Sequence, residues 1–383
     1  MDDIRSEIRA AFEREQAPYP PAGSLRPVVV RTVATTPLHV PRFKWLTVAG
    51  AVVLTAAIVV GVVAVRYGSF TRPAHSGAAP PPQLCVAGPA SSTDLFARVH
   101  GCIAYTDGRE LWTVDPFHPS NKISLGPADG LTPIAWSADG QRLLLDLRAR
   151  TADANGVDLV VMEADGSRTQ LTHDGKAYFG GSFSPDGTKV VYSDSFSLFV
   201  ADVHGGGRRL LAEEQAGSFA GLESPAWSPD GSRIAYVVDF ELATELWTMN
   251  ADGSDQRRLV ALGACEGGGC TSGLTWSPDG SQLAFASSRY VQQPLPPGSL
   301  PPPVIYTVRL DGSQPRQITR GSIGDVKPAW SPDGSRIAFV RAGYNTSLGQ
   351  LFTMARDGTD LRPVSDALVS ATYPAGIAWN PIA

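Results

Sequence analysis

Histidine and cysteine are scarce in this chain, six of one and four of the other in 383 residues. No two histidines stand at H-x-x-x-H spacing, which excludes a helix-borne zinc pair. His173, within Leu171-Thr172-His173-Asp174-Gly175, reads as a loop residue more readily than as a catalytic base. The nucleophile elbow G-x-S-x-G is missing, so the sequence offers no α/β-hydrolase serine. No Lys/Arg run occurs and the net charge is −5, which leaves no electrostatic footprint for nucleic acid. No cofactor motif is found, and neither a cofactor nor a metal is expected. Charged residues make up only 18% of the chain, against 39 glycines and 31 prolines. That balance points to an all-β protein with many tight turns.

The cysteines are Cys85, Cys102, Cys265 and Cys270. Zinc ligands come in close pairs, typically C-x2-C twice, and these gaps do not fit. The even count and loop-like setting predict two disulfides in an oxidising compartment, Cys85–Cys102 and Cys265–Cys270.

One long apolar run stands out. Trp45 to Val65 carries no charge, and as a helix rising about 1.5 Å per residue it spans roughly 30 Å, the thickness of a bilayer core. It starts too late and runs too long for a cleaved signal peptide. The residues before it hold Arg26, Arg31, Arg42 and Lys44, and those after it only Arg66 and Arg72. This bias predicts a single-pass anchor with the N-terminus in the cytoplasm and the rest outside. The expected domains are a cytoplasmic segment 1–44, a transmembrane helix 45–65, a Pro-rich linker 66–98 and a repeat domain 99–383. Within the first, 2–16 reads as a helix with Ile4, Ile8 and Phe12 on one stripe, able to meet a cytoplasmic partner or the membrane surface.

The repeat carries the fold. Trp227-Ser228-Pro229-Asp230-Gly231 returns at Trp276 to Gly280 and Trp330 to Gly334, with variants at Trp136, Phe183 and Trp379. A period in the forties to fifties is that of a four-stranded propeller blade. Proline presets the turn, aspartate can bond its own backbone, and glycine accepts the left-handed conformation that closes it. The aspartates are therefore read as turn residues, not as a carboxylate array. Apolar strands follow, such as Arg233-Ile234-Ala235-Tyr236-Val237 and Arg336-Ile337-Ala338-Phe339-Val340. The first unit lacks its opening strand, and Ile377-Ala378-Trp379 supplies one. The two ends joined give one blade, so six four-stranded antiparallel blades result.

At these residues the chain resembles the TolB-type propeller repeat, a relative of the Trp-Asp-repeat propellers, over about residues 100 to 381. The resemblance implies a six-bladed β-propeller that binds other proteins of the cell envelope. The expected function is a membrane-anchored extracytoplasmic binding protein for an envelope or extracellular protein or glycan. A receptor that reports through 2–16, or a propeller enzyme with a dispersed metal site, are the alternatives. In a propeller the first-to-second and third-to-fourth turns share one rim. Here they are short and uniform, whereas the loops of the other rim are long and varied. Rigid scaffolds carry function on such loops. Tyr178, Phe240, Arg289, Tyr290, Arg341 and Tyr344 are accordingly expected at the partner site.

Overall fold

The computed structural model describes residues 94–148, 156–214, 221–240, 243–263, 271–288, 302–313, 315–320, 324–342, 348–365, 369–370 and 376–381. All of them fall in one compact unit spanning 77–383. The expected anchor 45–65, the helix 2–16 and the segments 1–44 and 66–93 lie outside the described residues. Among the described residues no helix is long and apolar enough to cross a membrane.

Six antiparallel sheets follow one another along the chain, each built of an inner, second, third and outer strand. The inner strands are Ala378–Trp379 for the first blade, then Leu131–Trp136, Phe179–Phe183, Gly221–Trp227, Thr271–Trp276 and Gly324–Trp330 for the second to the sixth. In the sixth blade a short extra pairing joins Val369–Ser370 to the third strand.

The first blade is made from both ends of the repeat domain. Ile103 pairs with Trp379 and Ala104 with Ala378, and the Asn380 N–H donates to the Cys102 carbonyl at 2.8 Å. The Trp379 indole N–H donates to the Gly101 carbonyl at 2.8 Å. The sheet edge that would otherwise stay open is thereby paired.

The core is a ring of apolar clusters, one at each of the six seams between neighbouring blades. In the first, fourth, fifth and sixth blades the second strand turns an alanine toward the following blade and a large residue toward the preceding one. Thus Phe285 shares a cluster with Ala235, Phe339 with Ala284, and Tyr105 with Ala338. Large against small at these four seams lets twisted sheets interdigitate at close-packed density. The Ala/aromatic alternation of the repeat is the sequence record of that packing.

The chain joins this core before its first strand. Leu95 N–H donates to the Ala164 carbonyl at 2.6 Å, and the Phe96 ring stands edge-on to Trp136 at 4.7 Å.

Candidate binding rim and channel

One rim is fixed by the repeated turns. In each, the serine hydroxyl donates to the aspartate Oδ1, at 2.5 Å in Ser137–Asp139, Ser184–Asp186 and Ser277–Asp279 and 2.6 Å in Ser228–Asp230 and Ser331–Asp333. The same Oδ1 accepts the N–H two residues on, and the serine oxygen accepts the N–H that opens the second strand, as Arg233 does at 2.9 Å. Hydrogen bonding to the Ser184, Ser228 and Ser277 hydroxyls leads the interactions that hold Asp186, Asp230 and Asp279 below the usual carboxylate range, Asp279 at about 2. The turn glycines take φ between 66° and 74°, where a Cβ is strained. These carboxylates are committed to turn geometry. Among the described residues, no group of three His, Cys, Asp or Glu could hold a metal ion.

The opposite rim is irregular, and it uses several of its polar residues for itself. Tyr178 is fully buried at the seam of the second and third blades. Its hydroxyl donates to Asp174 at 2.7 Å, and burial, then this bond, push its pKa up. It therefore offers a partner no surface. Asp174 also meets Arg208 at 3.4 Å, whose guanidinium lies 4.0 Å from the Phe199 ring centroid. Arg341 makes a two-pronged pair with the buried Asp325, at 2.6 and 3.0 Å, over the Phe339 and Phe352 rings. Phe240 is half-buried against the cluster between the third and fourth blades. Arg289, Tyr290 and Tyr344 lie outside the described residues. So do Cys85, Cys265 and Cys270. Cys102 is buried and not free.

A residue not anticipated from the sequence is the most exposed large apolar group on this rim. Phe196, in the second-to-third connection of the third blade, is 62% exposed. Its backbone is held on both sides. Asp194 Oδ1 accepts the N–H groups of Phe196 and Ser197, and the Phe196 carbonyl accepts from Glu214 at 3.0 Å. Ser195 has φ of 76°, a conformation non-glycine residues seldom adopt and one that tends to persist at functional sites. Its carbonyl accepts from Leu222 at 2.6 Å. The only signal in the sequence is a phenylalanine between two serines, too weak to separate from chance.

Between the rims the six inner strands enclose a channel of about 460 Å³. Its lining runs from Gly180, Ser224, Gly273, Lys327 and Gly376 at the loop end to Pro185, Pro229, Pro278, Pro332 and Pro381 at the turn end.

The TolB beta propeller domain is the family model that matches the chain, over residues 146–294. The blades are TolB-like. The fold agrees with a putative TolB from Agrobacterium tumefaciens, at a TM-score of 0.52 and 22% identity over 72% of this chain and 92% of that one. TolB from Acinetobacter baumannii gives 0.53 and 18% identity over 73% of this chain and 67% of that one. In sequence, an uncharacterized protein of Agrobacterium fabrum is 28% identical over 54% of this chain, and the match spans 64% of that protein. Dipeptidyl-peptidase 5 of Porphyromonas endodontalis is 34% identical over 26% of this chain, a match spanning only 17% of the peptidase. The fold is thus shared with TolB structures and the repeat with part of a peptidase, and the fold alone assigns no chemistry.

Proposed function

We propose that the protein is a membrane-anchored binding protein of the cell envelope, with its propeller outside the cell and its loop rim meeting a protein or glycan partner. The asymmetry of the two rims carries this reading. One rim is spent on repeated Ser-x-Asp turns, whereas the other holds a fixed, exposed Phe196 among irregular connections. An aromatic side chain on a rigid backbone is a low-entropy contact of the type enriched at binding hot spots. Phe240 and Arg341 flank the same rim, and the expected residues Arg289, Tyr290 and Tyr344 would extend it. The uncharged run Trp45–Val65 supports the anchor, and the arginine-rich flank before it supports the orientation. The expected disulfides Cys85–Cys102 and Cys265–Cys270 would fit an outside location.

Protease added to intact cells should digest the propeller and spare 1–44; protection of the propeller would reverse the orientation. Once a partner is in hand, Phe196→Asp should weaken binding and Ser254→Asp on the turn rim should not. The opposite result would place the site on the turn rim.

A further inference from the structure

The channel has a feature that its turn and loop rims do not explain. Three residues before each blade's repeated aromatic, the chain places Pro133, Gly180, Ser224, Gly273, Lys327 and Gly376 around its loop end. The backbones here are bulged, with φ of 62° at Gly180, 50° at Ser224, 67° at Gly273 and 59° at Lys327. Neighbours in this ring are close: a Cβ on Gly273 would stand 3.0 Å from the Lys327 Cα. A Cβ on Gly376 would stand 3.7 Å from the Lys327 Cδ and 3.2 Å from the Pro133 carbonyl. Lys327 thus extends over a gap that a glycine leaves. It is the only long side chain of the six, and it is buried.

Among the described residues lining the channel, Lys327 is the only ionisable one. The rest are Trp, Pro, Ala, Ile, Leu, Phe and Gly, with a few Ser and Thr hydroxyls. Asp146, on the second strand of the second blade, answers Lys327 from outside the lining. Its side chain is fully buried and neither carboxylate oxygen has a hydrogen-bond donor. In the fourth, fifth and sixth blades the equivalent place holds Val237, Ala286 and Val340, packed in seam clusters. A buried carboxylate without donors is costly, and nothing in the propeller's packing requires one.

We propose that the channel binds a small carboxylate with an apolar body, whose anionic end pairs with Lys327 while Asp146 takes up a proton from water. The cavity volume suits a drug-sized ligand, and an apolar bore with one placed charge is the usual form of such a site. A cationic ligand fits less well, because Asp146 does not line the channel. Burial raises the pKa of Asp146, opposed by Lys327 and Arg148. Burial lowers that of Lys327, opposed by Asp146 and reinforced by Arg148. Burial thus disfavours the charged form of both groups, so moving one proton onto Asp146 is cheap near neutral pH. Asp325, two residues before Lys327, is already held by Arg341. Below that pH the pair carries a net positive charge and receives an anion; above it the pair loses that charge. Anion affinity therefore falls as pH rises.

The test is calorimetric titration of the full chain with 4-phenylbutyrate and its uncharged analogue 4-phenylbutanamide. The acid should bind about tenfold or more tightly than the amide. Its affinity should fall between about pH 6 and about pH 8, with proton uptake on binding. Lys327→Met should abolish the preference for the acid, and Asp146→Asn, which removes the charge that opposes the lowering of Lys327, should shift the loss of acid binding to lower pH. Equal affinity for acid and amide, no binding of the acid, or pH-independent binding in the unmodified chain would each overturn the proposal. The acid–amide comparison holds whether or not the variants fold. Rim binding can fail without touching this result, since Phe196 is not part of the channel lining.

Discussion

Ser228 is small and almost hidden, yet its turn is tied by its own hydroxyl to Asp230, Arg233 N–H to its oxygen, and Ser232 N–H to Asp230. Ser228→Ala should cost about 1 kcal/mol in denaturant unfolding, or more where the strand's N–H is left without a partner. Because hydrogen bonding to serine leads in lowering Asp186, Asp230 and Asp279, their folded pKa values lie below the unfolded ones. The stability they add is present above the ordinary carboxylate range and is lost as pH falls toward about 2, the value for Asp279. Thermal melts from about pH 5 to pH 2 should show the melting temperature dropping through that window. Arg341 is a different case. Its loss leaves Asp325 buried and unpaired, and Arg341→Ala should cost about 3–5 kcal/mol in the same unfolding measurement. The sequence shows an arginine in a loop-facing position. Its partner lies 16 residues away on the neighbouring strand, a pairing that only register reveals. Tyr178 was illegible because what buries it is the apolar seam between the second and third blades, a contact between sheets.

At the scale of the element, the turns and second strands were fully legible, because proline, aspartate and glycine each have one physical task there. The bulge in the inner strands was not. Its residues are Gly, Ser or Lys in different blades, and no shared side chain marks the position. The closing strand was legible from arithmetic: one end lacked an opening strand and the other had one to spare. That strand is only Ala378–Trp379, but Trp379 is buried in the seam between the sixth and first blades. Trp379→Ala should destabilise the fold by about 3–5 kcal/mol, read from the denaturant midpoint. Removing the chain from Ile377 onward should expose the first blade's edge and cause aggregation. A soluble truncation with an unchanged melting temperature would contradict the closure.

For the whole molecule, six apolar seams between neighbouring blades make a rigid ring, and rigidity is what a binding surface made of loops requires. The propeller count and its two unlike rims came from the period and from the lengths of the connections. Which residues of the loop rim face outward did not. Aromatics and arginines in loops look alike in sequence whether they stack inward, as Arg208 does on Phe199, or stand exposed, as Phe196 does. Site-specific photocrosslinking of the full chain in intact cells tests the central claim most directly, with the probe placed at position 196 on the loop rim or 254 on the turn rim. A partner adduct from 196 and none from 254 is the predicted result. An adduct from 254 with none from 196 would contradict the account.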